Sequence, residues 1–320
     1  MAMIRPGGQL RPSALFARLP FDVTVVIFAC VLSACSILVT TDGLTGVEAA
    51  DGGPSDAVAS AESSRPDAAT DAEAAAQADA DGSCAAECPA DASPGVAFTY
   101  ATFSSTIGFS VNGSATVANG MLRVAPAIAN TRGSIYYGNA VAVDASTSFR
   151  TNFSFALSSC AGPGGGGDGF AFVLQNIGVT ALSPEGAAGG GGSGLGYQAV
   201  GRSVAVEFDA LNSGAAYGDP NDNHIGIHAN GLMANHLATA SNIPNLRTSG
   251  VLQTWIDYDG KTKILTVYVA TSSTKPTVPN VSYEIDIPSQ VGSRMFAGFS
   301  AASGSDLCNF DISSWQFSSP

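Results

Sequence analysis

The 320-residue chain is poor in charged side chains, and basic side chains are the scarcest of them. Charged residues make up 12% of the chain, which is about half of the usual share. Only 13 Lys and Arg stand against 26 Asp and Glu, so the formal net charge is −13. A chain with so few basic groups lacks the positive surface that binds phosphate backbones. We therefore expect no nucleic-acid partner.

The apolar stretch near the N-terminus is too short to cross a membrane. Residues 23–34 read VTVVIFACVLSA, whereas a spanning helix needs about 20 apolar residues. Because Arg5, Arg11 and Arg18 precede it, the stretch is typical of a secretory signal peptide. It ends in Leu-Ser-Ala followed by Cys35, which resembles the lipobox of bacterial lipoproteins. That resemblance implies cleavage before Cys35 and acylation of its thiol.

The resemblance to a lipobox also implies a cellular location. Ser36 follows the cysteine, and in lipoproteins this favours sorting to the outer membrane, on its periplasmic or its cell-surface face. Several acyl chains would give a stable anchor, since each buried CH₂ adds about 0.8 kcal/mol. We therefore predict an exported bacterial lipoprotein whose residues 1–34 are the signal peptide. The alternative is an ordinary signal peptide in which Cys35 has no role.

Large apolar side chains are scarce in the next segment, residues 35–95, which is rich in Ala, Asp, Ser, Gly and Pro. Residues 36–96 hold 12 acidic residues and a single base, Arg65, so most of the net charge lies there. Such a segment cannot bury enough surface to offset the entropy of ordering it. The sequence predicts a disordered, self-repelling tether between the acylated cysteine and a folded domain at residues 96–320.

Cysteine is also scarce: the six residues are Cys30, Cys35, Cys84, Cys88, Cys160 and Cys308. Cys30 would leave with the signal peptide and Cys35 would carry lipid, so four thiols remain in an oxidising compartment. The two cysteines of the tether are close enough for a local Cys84–Cys88 disulfide, and the alternative is a metal site. Cys160 and Cys308 are then left to pair with each other, the alternative being two free thiols.

Residues 96–320 lack a helical period over three turns and instead alternate with a period of two. In residues 148–157 (SFRTNFSFAL), Phe149, Phe153 and Phe155 fall on one face, and polar side chains fall on the other. Shorter stretches of the same kind recur at 121–125, 134–137, 170–175, 203–209, 224–228, 264–269, 281–287, 296–301 and 312–317. Short strands over about 225 residues predict a single all-β sandwich.

One strand carries a candidate metal site. Alternation in residues 203–209 (SVAVEFD) places Glu207 and Asp209 on one face, and two such carboxylates repel each other unless a cation lies between them. The loop 210–223 is rich in oxygen donors, and the next strand places His224 and His228 on the carboxylate face. Oxygen ligands suit Ca²⁺, whereas carboxylates with an imidazole suit Mn²⁺ or another transition ion.

The remaining histidine, His236, has no evident partner in the sequence, and we expect it to lie in a loop. The alternative to a metal site is a polar turn that joins two strands.

Several motifs in the same order resemble legume-type (L-type) lectins over residues 97–320. They are Gly113-Ser114-Ala115, GSIYY at 133–137, SFRTNFSFAL, GDGFAF at 167–172, VAVEFD, Asp219-Pro220 with HIGI at 224–227, WIDYDGKTKILTVYV at 255–269, GFSAA at 298–302 and SWQFS at 314–318. The resemblance implies a concanavalin-like β-sandwich, or jelly roll, of two antiparallel sheets. It also implies metal-dependent carbohydrate binding without catalysis, and it leaves oligomerisation possible.

The resemblance implies a role for particular residues. For manganese-type ligation they are Glu207, Asp209, Asp219 and His224; for calcium, Asp209, the Leu211 carbonyl, Asn212 and Asp219; for the sugar, Asp168, Gly192, Leu211, Asn212, Ser303 and Gly304. The family layout also places Cys160 and Cys308 beside the sugar site. Two positions depart from the pattern, because Ser213 stands where the family has its sugar-binding asparagine and Leu211 where it has an aromatic residue.

Two other function classes remain open. A jelly-roll glycoside hydrolase carries Glu-x-Asp-x-Glu on a strand, and Glu207 and Asp209 match its first two acids. Retaining hydrolysis needs a second carboxyl about 5–5.5 Å away, but Leu211 or Asn212 takes the third place of the pattern. The other alternative is a structural or adhesion module that has lost sugar binding.

Overall fold

The computed structural model describes residues 92–93, 95–184 and 192–319. The predictions for the signal peptide at residues 1–34, for acylation of Cys35 and for a Cys84–Cys88 disulfide lie outside these residues. Within them, Ala92–Ser93 already pairs with a strand of the folded domain, four residues before the predicted start of that domain.

The described residues form 17 β-strands and one short α-helix. In chain order they are β1 (Ala92–Ser93), β2 (Val96–Tyr100), β3 (Phe109–Gly113), β4 (Thr116–Ala118), β5 (Met121–Ala125), β6 (Thr131–Tyr137), β7 (Ala140–Ala142), β8 (Phe149–Ala161), β9 (Gly169–Gln175), β10 (Ser203–Asp209), β11 (His224–Ala229), β12 (Ala238–Ala240), β13 (Leu252–Asp259), β14 (Ile264–Ala270), β15 (Val281–Glu284), α1 (Ile287–Val291), β16 (Arg294–Ser303) and β17 (Leu307–Ser319).

The strands form two sheets that pack face to face, so the predicted all-β sandwich is confirmed. The nine-stranded sheet runs β1-β7-β16-β9-β10-β11-β12, with β6 beside β16 and β3 beside β6. The eight-stranded sheet runs β15-β14-β13-β8-β17-β5-β4, with β2 beside β17. Pairing is antiparallel except between β1 and β7, which are parallel.

Alternating aromatic side chains fill the space between the sheets. The Phe153 side chain on β8 lies 5.0–6.1 Å from the rings of Phe172, Phe208 and Phe299 on the facing sheet. Phe170 and Phe208, on neighbouring strands of that sheet, stack with their ring centroids 4.6 Å apart. Each buried aromatic ring contributes a large apolar area, so these contacts carry much of the hydrophobic stabilisation of the sandwich.

The nine-stranded sheet also buries part of its outer face, which positions the candidate site. Its outward-facing Ala171, Val173 and Ala205 pack with Leu195 and Tyr197 from the segment 192–202. Polar groups on this face are therefore shielded from water by a covering segment. That shielding gives their charges a larger influence on each other.

The strand predicted at 281–287 is shorter in the structure, and this part of the prediction is wrong. Strand β15 ends at Glu284, and the short helix α1 follows. The Asp286 side chain accepts a hydrogen bond from the Ser289 N–H, and Pro288 occupies the first turn. Both are helix-start signals, and they override the alternating pattern.

The sulfurs of Cys160 and Cys308 form a disulfide, as the cysteine count predicts. Cys160 lies near the end of β8 and Cys308 near the start of β17, which are neighbouring strands.

In the part of the chain that the structure describes, no helix has the length and apolar character needed to span a membrane.

We expect Phe153→Ala to lower the free energy of unfolding by about 3–5 kcal/mol, because it opens a cavity among facing aromatic rings. Equilibrium denaturation of the purified chain measures this. Asn152→Ala is the matched control on the neighbouring, half-buried position, and its effect should stay within about 0.5 kcal/mol. Equal effects of the two variants would contradict the core assignment.

Candidate metal centre

The candidate site lies on the covered outer face of the nine-stranded sheet. Strand β10 pairs with β11 on one side and with β9 on the other. In this register Asp209 is directly opposite His224, and Glu207 is directly opposite Gly226. Since residues opposite each other share a face, the alternation that buries Phe208 in the core turns Glu207, Asp209 and His224 toward the covering segment.

The carboxylate of Glu207 is enclosed and is 1% exposed. Its Oε2 accepts a hydrogen bond of 2.9 Å from the Tyr197 hydroxyl. Its Oε1 lies 2.6 Å from His236 Nε2, 2.8 Å from His228 Nε2 and 3.4 Å from His224 Nε2. Three imidazoles therefore meet one carboxylate oxygen. His236 lies in the loop between β11 and β12, as expected, but the expectation that it has no partner is wrong.

The protonation of Glu207 and the protonation of the surrounding imidazoles depend on each other. Burial by itself would raise the pKa of Glu207, but the charge of His228 and the contacts with all three imidazoles hold that pKa well below its usual range. Burial would likewise lower the pKa of His228, and the neighbouring charge of Glu207 raises it instead. Glu207 is therefore ionised, and positive charge is favoured beside it.

The tautomers of two histidines follow from their backbone contacts. The Nδ1 atoms of His224 and His228 lie 3.1 Å from the carbonyl oxygens of Asn221 and Leu232. Because a carbonyl oxygen only accepts, each Nδ1 donates. A neutral His224 ring then presents a lone pair at Nε2, which is buried without a hydrogen-bond partner among the described residues. The His228 Nε2 instead lies 2.8 Å from Glu207 Oε1, where the charge of that carboxylate favours a proton on the ring.

A second cluster lies at the end of β10. Ligand atoms of Asp209, Asp219 and His224 all come within 4.8 Å of one another, and so do those of Glu207, His224 and His236. Burial, followed by the charges of Glu207 and Asp219, raises the pKa of Asp209 well above its ordinary value. Burial is also the main cause of the raised pKa of Asp219.

These residues fit the metal ions that the resemblance implies. Buried carboxylates repel one another, and an orphaned imidazole nitrogen faces them, so a cation would relieve both costs. Glu207, Asp209, Asp219 and His224 would hold a transition ion, and Asp209 and Asp219 would contribute oxygens to Ca²⁺. The positive charge supplied by bound ions would fix the loop 210–219 against the sheet.

Asn212 has a local contact instead of a place in the cluster. Its side chain is exposed, and its Oδ1 accepts a hydrogen bond from the Gly214 N–H of the same loop. The Ser213 N–H donates to Asp219 Oδ2 at 2.6 Å. The calcium-binding and sugar-binding roles of Asn212 stay predictions, and the neighbouring Ser213 is the residue in contact with a cluster carboxylate.

Asp168 lies just before β9 and next to this centre. The Gly167–Asp168 peptide is cis, and the Asp168 residue is 3% exposed. Burial, opposed by a hydrogen bond from the Gly304 N–H and aided by nearby Asp306, raises the pKa of Asp168 to about 7. Its main-chain oxygen accepts from the Ala210 N–H at 2.9 Å. The end of β10 therefore holds Asp168 in place.

Four of the other predicted sugar-site residues, Gly192, Leu211, Ser303 and Gly304, lie beside Gly167 and Asp168, and Asn212 is not among them. The Gly304 N–H donates to Asp168 Oδ2 at 3.0 Å, and the Ser303 hydroxyl contacts the Gly167 carbonyl oxygen at 3.3 Å. A Cβ added to Gly192 would lie 1.2 Å from Asp168 Oδ2, so only glycine fits there. A Cβ added to Gly167 would lie 2.8 Å from the Leu211 Cβ, which places Leu211 at the same junction. The structure thus brings these four residues to one place.

Asp306 and Arg247 support this junction through contacts that the sequence motifs do not predict. Asp306 Oδ1 accepts the N–H groups of Gly164 and Gly166. Arg247 Nη1 donates to the carbonyl oxygens of Gly164, Gly166 and Ala210. Together they tie the glycine-rich turn before Asp168 to β17 and to the end of β10. Neither contact has a local sequence signal, since the partners lie 37–142 residues apart in the chain.

Comparison with known proteins matches this chain to a family of lectin domains and to solved structures with the same fold. The family model described as the legume lectin domain matches residues 95–320. The L-type lectin-domain containing receptor kinase VIII.2 of Arabidopsis thaliana is 32% identical over 219 residues, which are 65% of this chain and 30% of the kinase. Kinase VIII.1 of the same plant is matched over 24% of its length. The chain therefore spans about a quarter to a third of these relatives.

Solved structures resemble the described domain over nearly their full length. Peanut lectin with a nine-residue peptide superposes with a TM-score of 0.60 at 27% identity, covering 71% of this chain and 98% of that one. A lectin from Bauhinia forficata in complex with GalNAc superposes with a TM-score of 0.58 at 25% identity, with the same coverage.

We expect the metal-stripped chain to melt at a higher temperature at about pH 5 than at about pH 8. The pKa of Asp168 is raised to about 7 and that of Asp209 well above its ordinary value, so the folded state retains protons that the unfolded state has lost in this range. The raised pKa of Asp219 acts in the same direction. Folding is thus favoured at the lower pH, and the raised pKa of His228 acts in the same direction. The lowered pKa of Glu207 has its effect below this range.

Calorimetry in chelator, repeated with Ca²⁺ and Mn²⁺, measures this difference. Added ions should reduce it, because they stabilise the ionised carboxylates that dominate at high pH. Asp209→Asn, which cannot titrate, should reduce it in chelator as well. A lower melting temperature at about pH 5 in chelator would contradict the assignment.

Proposed function

Because residues 95–320 make this chain a member of the legume lectin domain family, we propose that it binds carbohydrate through Asp168 in a metal-dependent manner and without catalysis. The observation that carries the proposal is the position of Asp168 beside the buried carboxylate and imidazole cluster. The Ala210 N–H bonds to the Asp168 main chain, and the adjacent Leu211 N–H bonds to Asp209 Oδ1. An ion held by Asp209 would thus fix the position of Asp168 through two consecutive residues.

The chemistry of the Asp168 carboxylate suits hydroxyl groups. An ionised carboxylate has about four acceptor positions, and the Gly304 N–H uses one of them. In the proposed complex the other positions accept hydrogen bonds from neighbouring hydroxyls of a sugar ring. Leu211 would give that ring an apolar contact, while main-chain N–H groups near Gly192 and Gly304 would add donors. The Bauhinia forficata lectin was solved with GalNAc, so galactose-type sugars are the first ligands to test.

A hydrolytic role for the paired acids has less support. Both carboxylate oxygens of Glu207 contact side chains of the protein itself, Oε2 the Tyr197 hydroxyl and Oε1 the imidazole of His236. A nucleophile or general acid must reach the substrate, within about 3 Å of the reacting atom. The enclosure of Glu207 therefore favours a structural or metal-binding carboxylate.

We expect the full-length chain to bind a set of glycans on an array, and Asp168→Ala or chelation with EDTA to abolish that binding. Loss of one carboxylate acceptor for sugar hydroxyls should reduce affinity at least about 10-fold, since hydrogen bonds to charged groups contribute about 1.5–3 kcal/mol. Asp259→Ala is the matched control, an exposed aspartate in the hairpin between β13 and β14.

Binding that persists in EDTA and in Asp168→Ala would overturn the proposal. Hydrolysis of a β-glucan panel that disappears in Glu207→Gln would establish the hydrolase alternative instead. Failure to bind any glycan, with metal binding intact, would favour the structural or adhesion module.

The N-terminal sequence extends the proposal to a membrane anchor. The run at 23–34 and the lipobox ending at Cys35 support export and acylation in a bacterium, and Ser36 supports sorting to the outer membrane. The acidic segment that follows would hold the domain away from the lipid surface, because like charges extend it.

We expect Cys35→Ser to prevent incorporation of labelled palmitate and to move the chain from the membrane fraction to the soluble fraction in a bacterial host. Cys30→Ser is the matched control, since this thiol lies five residues earlier, within the predicted signal peptide. Labelling that survives in Cys35→Ser, or that depends on Cys30, would contradict the anchor. Density-gradient separation of inner and outer membranes tests the sorting.

A further inference from the structure

The ring of His236 approaches the centre from a different element than the other two histidines. It lies in the turn after β11, and its side chain is 9% exposed. Its Nε2 lies 2.6 Å from Glu207 Oε1. Its ring centroid lies 5.4 Å from that of His224. His236 thus adds a nitrogen to a cluster that the resemblance describes with a single imidazole.

Two glycines make room for this ring. A Cβ added to Gly226 would lie 2.4 Å from Glu207 Oε1 and 2.6 Å from His236 Cδ2. A Cβ added to Gly218, on the loop that carries Asp219, would lie 3.0 Å from His236 Nδ1. The strand and the loop therefore both lack a side chain at the points where His236 contacts them.

The donor atoms converge as metal ligands do. Glu207, His224 and His236 each offer one ligand atom, and these atoms lie within 4.8 Å of one another. The His224 Nε2 is fully buried and has no hydrogen-bond partner among the described residues. With its Nδ1 donating to the Asn221 carbonyl oxygen, that nitrogen presents its lone pair toward the same carboxylate. A cation between the His224 Nε2 atom and the Glu207 carboxylate would pair with the lone pair of the nitrogen and with the negative charge of the carboxylate.

We propose that His236 is a direct ligand of the transition ion, which gives this centre two imidazoles and a selectivity for Zn²⁺ over Mn²⁺ greater than one imidazole confers. The inference rests on the metal centre of the proposed function. Imidazole suits Zn²⁺, Ni²⁺ and Cu²⁺, whereas Mn²⁺ prefers carboxylate, carbonyl and water oxygens. Of the candidate ligands, Glu207, His224 and His236 lie within reach of one ion, and two histidines with one carboxylate are a common ligand set for zinc.

His228 provides the contrast that makes the proposal testable. It lies 2.8 Å from the same Glu207 oxygen. Among the described residues, however, the two groups of donors within 4.8 Å contain His224 and His236 and leave out His228. The proposal therefore makes His236 a ligand and His228 a group that balances the charge of Glu207 from outside the ligand set.

The test is metal binding by the full-length chain after it has been stripped with chelator. Calorimetric titration gives Zn²⁺ and Mn²⁺ affinities, and zinc X-ray absorption counts the imidazoles on the bound ion. In His236→Gln we expect Zn²⁺ affinity to fall more than about 100-fold and Mn²⁺ affinity to fall less than about 10-fold. The imidazole count should fall from two to one. Asn235→Ala, an exposed neighbour in the same turn, should match the wild type.

The glutamine in His236→Gln keeps an N–H donor for Glu207, so it separates ligation from hydrogen bonding. Retention of the wild-type Zn²⁺ affinity in His236→Gln would overturn the proposal. It would also be overturned if the bound zinc had one imidazole in His228→Gln and two imidazoles in His236→Gln. A wild-type chain that binds no transition ion would overturn the metal centre as a whole. Glycan binding is not used as a readout, so failure of the sugar proposal stays distinguishable.

Discussion

The structure depends on the compensation of negative charge buried on one face of a β-sheet. Strand periodicity places Glu207 and Asp209 on the same side of β10, and the segment 192–202 shields that side from water. Desolvating an unpaired carboxylate costs several kcal/mol. The imidazoles and the Tyr197 hydroxyl compensate Glu207 within the protein. Among the residues that the structure describes, Asp209 has no comparable set of positive neighbours, and its raised pKa reflects that deficit.

This deficit connects the metal centre with Asp168. The two residues after β10 link these acids, because the Leu211 N–H donates to Asp209 Oδ1 and the Ala210 N–H donates to the Asp168 main-chain oxygen. Arg247 bonds to the Ala210 carbonyl oxygen and to two carbonyl oxygens of the glycine-rich turn before Asp168. The Cys160–Cys308 disulfide closes the same region from the side of β8 and β17. A change in charge at Asp209 therefore acts on a main chain that is already fixed at several points.

The part of this arrangement that the sequence predicts follows from the alternation of apolar and polar residues along each strand. The bounds of β10, Ser203–Asp209, are those expected from alternation, and so is the common face of Glu207, Asp209 and His224. The pattern fails where a longer-range or competing signal decides. Asp286 and Pro288 start a helix within a stretch that alternates. His236 meets Glu207 across 29 residues, and Asp306 meets Gly164 across 142, separations that no local period can reveal.

Glycine positions in the sequence carry a signal that links the local strand pattern to contacts between distant residues. Glycine weakens the interior of a strand, so its presence there indicates that something approaches closely. Gly226 stands opposite Glu207 in the central part of the sheet, and the space above it is filled by that carboxylate and the His236 ring. Gly192 serves Asp168 in the same way, because a Cβ there would coincide with the carboxylate. In this chain a glycine facing an acid marks the place where the acid meets a partner that is distant in the sequence.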